Sequence, residues 1–179
     1  SEPADRNRIW SISLTGASLV LPGVYALLVR PWLQGWGSTA AERASRYPGD
    51  EPQGTPVFSR TTRAITVNAP APHVWQWIAQ IGQERGGFYS YDILENLAGC
   101  EMHNADELRP EWQSREPGET VRLHPRTGLP VARFEPNRVL ALEGWGAFVL
   151  EPHGPGCTRL IARGRIRHSL ASLANALLM

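Results

Sequence analysis

The chain contains no lysine; all 18 of its basic residues are arginine. Base bias in a coding sequence produces that pattern as readily as function does, so the absence alone assigns no role. Cysteine is nearly absent as well. Cys100 and Cys157 have neither metal-ligand spacing nor the density of a disulfide scaffold, and read as two free thiols in a reducing compartment. There is no excess of charge: 18 basic against 17 acidic residues over 179 positions leave a formal net charge of +1, without the basic field of a nucleic-acid binder. Missing motifs narrow the chemistry further. No Gly-x-Ser-x-Gly elbow occurs, and neither cysteine sits in a nucleophile motif. Gly82-x-x-x-Gly86-Gly87 follows a helical pattern rather than a strand, so it lacks the context of a phosphate-binding loop. His103 with Asp106, and a distant His124, fall short of the usual three ligands of a catalytic metal. No cofactor is expected.

What is present begins with an apolar run. From Ile9 to Val29 no charged residue occurs, and a helix of that length rises about 30 Å, the thickness of a bilayer's hydrocarbon. Trp10 flanks one end and Trp32 and Trp36 the other, where interfacial anchors sit. A cleaved signal peptide would want small residues behind the run, whereas Arg30-Pro-Trp follows; a core helix would show one polar face. The run therefore predicts a single-pass membrane helix at about 9–29, within an N-terminal segment 1–37. Ser11, Thr15, Ser18 and Pro22 recur on one face of it, with Gly16 and Gly23 adding small surface. Such a stripe suits close packing against a transmembrane protein partner, or is simply tolerated in a marginal span.

Residues 38–56 read as a connector and linker. Thr39 and Glu42 form a capping box for a short helix near the membrane surface, and 50–56 is rich in proline and acid. A globular domain is expected over 57–179. Thr62–Val67 alternates as a strand, and a helix from about His73 to Ile81 carries Val74, Trp75, Trp77, Ile78 and Ile81 as its apolar stripe. The stretch Gly82–Asn96 then crowds paired glycines, three aromatics and several charges together. It reads as a sharp turn at Gly86-Gly87 followed by a helix capped by Asp92 and Glu95 and stopped at Gly99. From Met102 to Gln113 a loop is expected, with a helical turn at Asp106. Five strands follow: 119–124, 129–135, 138–143, 146–151 and 158–167. In the last, Arg159, Arg163, Arg165 and Arg167 alternate with Leu160, Ala162, Gly164 and Ile166, which predicts one wet face and one buried face. A closing helix from His168 carries Leu170, Leu173, Ala174, Leu177 and Leu178.

The run Arg63-Ala-Ile-Thr-Val-Asn-Ala-Pro-Ala-Pro-His-Val-Trp through to Tyr91-Asp-Ile-Leu-Glu-Asn96 resembles the START-like superfamily of polyketide cyclases and birch-allergen-like proteins. Trp36-Gly-Ser-Thr, Pro48-Gly-Asp, His103-Asn-Ala-Asp and Pro110-Glu-Trp-Gln resemble a bacterial branch with an N-terminal membrane segment. The resemblance covers about Trp36 to Arg167. It implies an α+β helix-grip fold, an antiparallel sheet wrapped on a C-terminal helix over a cavity. That superfamily holds lipid carriers, cyclases and binding modules without activity, and fold does not decide among them. Trp75, Trp77, Arg85, Tyr89, Tyr91, Asp92 and His103 are the candidates to line the cavity. Arg85 paired with Asp92 or Glu95 would pin the turn, and Asp92 already caps a helix, so a non-catalytic binding domain is the expectation. It would be an accessory subunit of a membrane complex or a binder of a lipid or other apolar ligand. The alternative is a cyclase or dehydratase using the tyrosines and acids. The location implied is a bacterial inner membrane, and the slight arginine excess after the span puts the domain on the cytoplasmic side.

Overall fold

A computed structural model of the chain describes residues 23–50, 57–88 and 103–167. From Gly23, where the described residues start, the chain is helical and passes through a π-helical stretch, Tyr25–Val29, into α1 (Arg30–Gln34). α2 (Ala40–Ala44) and α3 (Ala71–Ala79) are the other α-helices among the described residues, and a 3-10 turn spans Pro110–Trp112. Six strands, β1 (Val57–Val67), β2 (Thr120–His124), β3 (Thr127–Glu135), β4 (Val139–Leu142), β5 (Gly146–Pro152) and β6 (Thr158–Arg167), form one antiparallel sheet. Their order is β1-β6-β5-β4-β3-β2, which makes the domain α+β. The expected helical turn near Asp106 instead falls at Pro110, whose fixed φ suits the first position of a helical turn. The bulk of the expected membrane span, with Trp10, Ser11, Thr15, Ser18 and Pro22, lies outside the described residues, as do the helix expected after Asp92 and the closing helix from His168. Among the described residues no helix is long and apolar enough to cross a membrane.

Both faces of the sheet are covered, and β4 shows it most simply: all four of its residues are buried. Pleating sends Leu140 and Leu142 to one face, where they meet Val74, Trp75, Ile78 and Ala79 of α3. A nine-residue helix is marginal in water by itself, so this packing holds it; each large apolar side chain buried contributes roughly 1.5–3 kcal/mol. Val139 and Ala141 point the other way, into a second cluster with Ala64, Ala147, Val149, Ile161 and Tyr47.

That second face corrects the expectation for β6. Two of its arginines, Arg159 and Arg163, do not point into water. Arg163 is 1% exposed, because residues 36–50, most of them within the stretch 38–56 that the sequence suggests as a connector and linker, lie across the strand. The Arg163 guanidinium donates Nε and Nη2 to Asp50 Oδ2 at 3.1 and 3.0 Å, Nη1 to Thr62 Oγ1 and to Arg43 O at 3.3 Å, and Nη2 to Ser45 O at 3.1 Å. It also lies 5.6 Å from the centre of the Tyr47 ring. Burial, above all, raises the pKa of that phenol. Four residues away on the same face, with Ile161 between them, Arg159 forms a fork with Glu42, Nε to Oε1 at 2.7 Å and Nη2 to Oε2 at 3.0 Å, and reaches Gly37 O at 2.6 Å. Glu42 serves two partners: Thr39 N also donates to it, completing the capping box of α2.

Part of the outer edge of β1 is covered by residues 33–37. Ala64 N donates to Trp36 O at 3.1 Å, Arg63 Nε to Leu33 O at 3.0 Å and Gln34 Nε2 to Ser59 Oγ at 3.0 Å. An edge strand left bare would be open to pairing with other chains. Gly37, at φ 69°, lets the backbone approach so closely; a Cβ there would overlap Ala64 O.

Asp50→Ala leaves Arg163 buried without its counter-charge and should cost about 3–5 kcal/mol in urea unfolding, against less than about 1 kcal/mol for removing exposed Arg138. Equal costs would refute the buried-pair account. Acid provides a second test. The hydrogen bonds from Arg159 hold the Glu42 carboxyl at about 2, below its ordinary 4.5. A carboxyl depressed on folding stabilises fully above its unfolded value, and that stability is lost as pH falls from about 4.5 to about 2. Glu42→Gln should therefore flatten the acid limb of the stability profile over that window, read by unfolding at a series of pH values.

Candidate functional site

Residues 82–88 are the described part of the aromatic and glycine-rich stretch. Gly82 and Gly87 exchange two backbone hydrogen bonds, of 2.8 and 2.9 Å, so the chain reverses completely between them. Gly87 has φ 69°, and a Cβ on it would strike the Asn104 side chain and His103 O. The turn thus seats the backbone of 103–104 directly behind it. Phe88 leaves the turn and packs against the α3 side of the core.

The reversal aims Arg85 outward, to a partner far along the chain. Nη2 meets Glu119 Oε1 at 2.7 Å, and Nη1 donates to Trp112 O at 3.0 Å and Ser114 O at 3.1 Å. Arg115 reaches the same carboxylate oxygen, Nη1 to Oε1 at 3.0 Å, while its Nε donates to Ala79 O at 3.0 Å and its Nη2 to Ile81 O. Arg115 therefore satisfies carbonyls left open at the C-terminal end of α3, where a cation also suits the helix dipole. Burial, first, and then the charge of Arg85 lower its pKa to about 10, so it stays a cation at neutral pH. Gln80, fully buried, braces the same wall. Its Nε2 donates to Glu107 O at 3.2 Å, and its Oε1 accepts from Arg109 N and from Gln113 Nε2, each at 3.3 Å.

Together these elements line an open cleft of about 490 Å³ formed by Gly82, Glu84, Arg85, Trp112, Arg115 and Arg122, with Glu111, Glu119 and Thr120 completing the wall. Its three arginines face three glutamates. Arg122 Nε lies 3.1 Å from Glu84 Oε1, and Glu119 holds both inner guanidiniums. The wall charges compensate one another, and none of its side chains is a histidine or a thiol. No group of His, Cys, Asp and Glu among the described residues could hold a metal ion.

The residues proposed from sequence divide. Arg85 lines this cleft, but its partner is Glu119 rather than Asp92 or Glu95. Trp75 is 4% exposed and belongs to the core, tilted against Phe134 with ring centres 5.1 Å apart. Trp77, expected in the same apolar stripe, faces outward from α3 and is exposed. His103 is exposed, and its backbone rather than its imidazole supports the turn. Tyr89, Tyr91 and Asp92 lie outside the described residues. Trp32 and Trp36 stand exposed near the β1 edge. Sequence reasoning passed over Gln80, Arg115 and Glu119. Arg115 and Glu119 are four apart, but outside a helix that spacing carries no signal.

No protein-family model and no curated protein matches the chain. Among solved structures it is similar to CalU16 from Micromonospora echinospora, with 15% sequence identity and a TM-score of 0.35 over 66% of this chain and 65% of that one. A TM-score that low establishes no shared fold, and the functional reading rests on the chain's own geometry.

If Glu119 is the shared counter-charge of two guanidiniums, Glu119→Gln should cost about 1–3 kcal/mol of stability. Glu84→Gln, at an exposed pair, should cost less than about 0.5 kcal/mol. Urea unfolding of the two variants decides the matter, and a Glu84 effect as large as that of Glu119 would refute the clamp.

Proposed function

We propose that the chain is a membrane-anchored binding domain without chemistry of its own, a helix-grip module of START-like type serving as an accessory subunit beside a membrane protein. The observation that carries the reading is the direction of the first helix. Val24, Leu27, Leu28 and Val29 are exposed on it, Leu27 by 77%, and Trp32 follows at 61%. A helix built to complete the core would turn these side chains toward the sheet. Among the described residues the first helix has its side-chain hydrogen bonds to β1 at its C-terminal end, Arg63 Nε to Leu33 O and Gln34 Nε2 to Ser59 Oγ, and the sequence leading into them is the last part of the charge-free run that starts at Ile9. Exposed apolar surface of this extent in water is a liability, and in lipid it is a requirement.

The absence of chemistry is supported by the cleft beside Arg85. Apart from exposed Glu111, its charged groups are taken up by one another and by backbone carbonyls, so the wall offers structure more than acid–base function. The small-residue stripe at Ser11, Thr15, Ser18 and Pro22 supports a helical partner in the bilayer.

Leu19→Arg with Val20→Arg places two charges at the middle of the run, each costing about 2.5–3.5 kcal/mol in lipid. The unaltered chain should stay with membranes through an alkaline carbonate wash, and the double variant should move to the supernatant by more than about tenfold. If both behave alike, the anchor is refuted.

A further inference from the structure

Five arginines, Arg30, Arg43, Arg46, Arg60 and Arg63, belong to the segments that meet where the first helix joins the β1 edge. Arg30 is the first charge after the apolar run. Arg63 is tied to Leu33 O, and the Arg43 side chain passes beside Gly35, where a Cβ would lie 3.3 Å from its Cδ. Arg43, Arg46, Arg60 and Arg63 are exposed. The described acids of the same segments are already engaged from the sheet. Glu42 is held by Arg159, and Asp50 by Arg163, with Arg60 at 3.9 Å from Asp50 as a looser neighbour. What remains is a positive collar around the helix base.

Its height fits a bilayer. At about 1.5 Å per residue, Leu33 stands about 4.5 Å and Gly35 about 7.5 Å beyond Arg30 along the helix axis. The headgroup layer on each side of the hydrocarbon is about 5–7 Å deep. With Arg30 at the hydrocarbon boundary, Arg63 beside Leu33 falls within the headgroup layer together with exposed Trp32, where indoles concentrate, and Arg43 beside Gly35 lies at the outer edge of that layer with exposed Trp36. Resting on the anchor reading above, we infer that the β1 edge of the domain docks on the bilayer surface and binds anionic phospholipid headgroups through this collar. The domain would then stand with β1 down and the β2–β3 hairpin away from the membrane, since those strands end opposite sides of the sheet.

The lysine-free sequence supplies its own probe, because trypsin can cut this chain only after arginine. Full-length protein is placed in nanodiscs of phosphatidylcholine alone and of phosphatidylcholine with phosphatidylglycerol. Cleavage after Arg43 and Arg46 is compared with cleavage after Arg126, in the β2–β3 turn. The expected result is cleavage about fivefold slower or more at Arg43 and Arg46 on the anionic discs. Arg126 should be unchanged, and about 0.5 M salt should abolish the difference. Equal rates on the two discs, with the protein inserted in both, overturn the collar and leave the anchor standing. Failure to enter either disc overturns both.

Discussion

The guanidinium of Arg163 and the carboxylate of Asp50 meet almost without water, at 1% and 5% side-chain exposure, and much of the domain's outer face depends on that meeting. Taking two such charges out of water costs several kcal/mol per ion, and attraction between them returns about 4 kcal/mol at an effective dielectric near 20. The pair therefore adds little net stability. Its effect is positional. Once Arg163 has also taken Thr62, Arg43 O and Ser45 O, residues 43–50 can lie in one place only, and Tyr47 is brought down over Val139, Ala141, Val149 and Ile161. Without it the strands would carry a buried cation on an open apolar face.

The same segment connects the sheet to the first helix, so the direction of that helix is set by β1 and β6 rather than by a loose tether. Gly37 allows the close approach, Trp36 covers part of the edge of β1, and the Glu42–Arg159 fork holds α2 against β6. At the other end of the molecule Arg85, Arg115 and Glu119 form a second clamp, joining the turn after α3 to the strand-forming half of the chain. Both clamps use arginine for the same reason. A planar fork with five donors can hold a carboxylate and two or three backbone carbonyls at once, which an ammonium cannot. The absence of lysine, uninformative in the sequence, is thus compatible with every buried cation here being a multi-donor one.

Much of the sheet was legible beforehand because its signals are local. β6 was expected over 158–167 and is found at Thr158–Arg167; β5, β4 and β3 differ from expectation by two residues or fewer at either end. Pro and Gly punctuation set those limits, and the Thr39–Glu42 capping box was readable for the same reason, since its two bonds lie within four residues. The site was far less legible. Arg85 stood out by its neighbours in sequence, yet it is paired with Glu119, 34 positions away. Trp75 and Trp77 share one helix and one apolar pattern, yet one is core and the other exposed, because α3 packs on the sheet along a narrower face than its composition suggests.

What the sequence determined by itself was the set of elements and the charge-free run, because alternation, helical spacing and hydrophobic length are properties of neighbours. What only the tertiary structure decided was the environment of each charge. Alternation in β6 correctly put Arg159 and Arg163 on one face, and the inference that the face is wet failed because burial depends on what lies across it. Residues 36–50 lie there, more than a hundred positions earlier in the chain, and no local pattern in β6 records them.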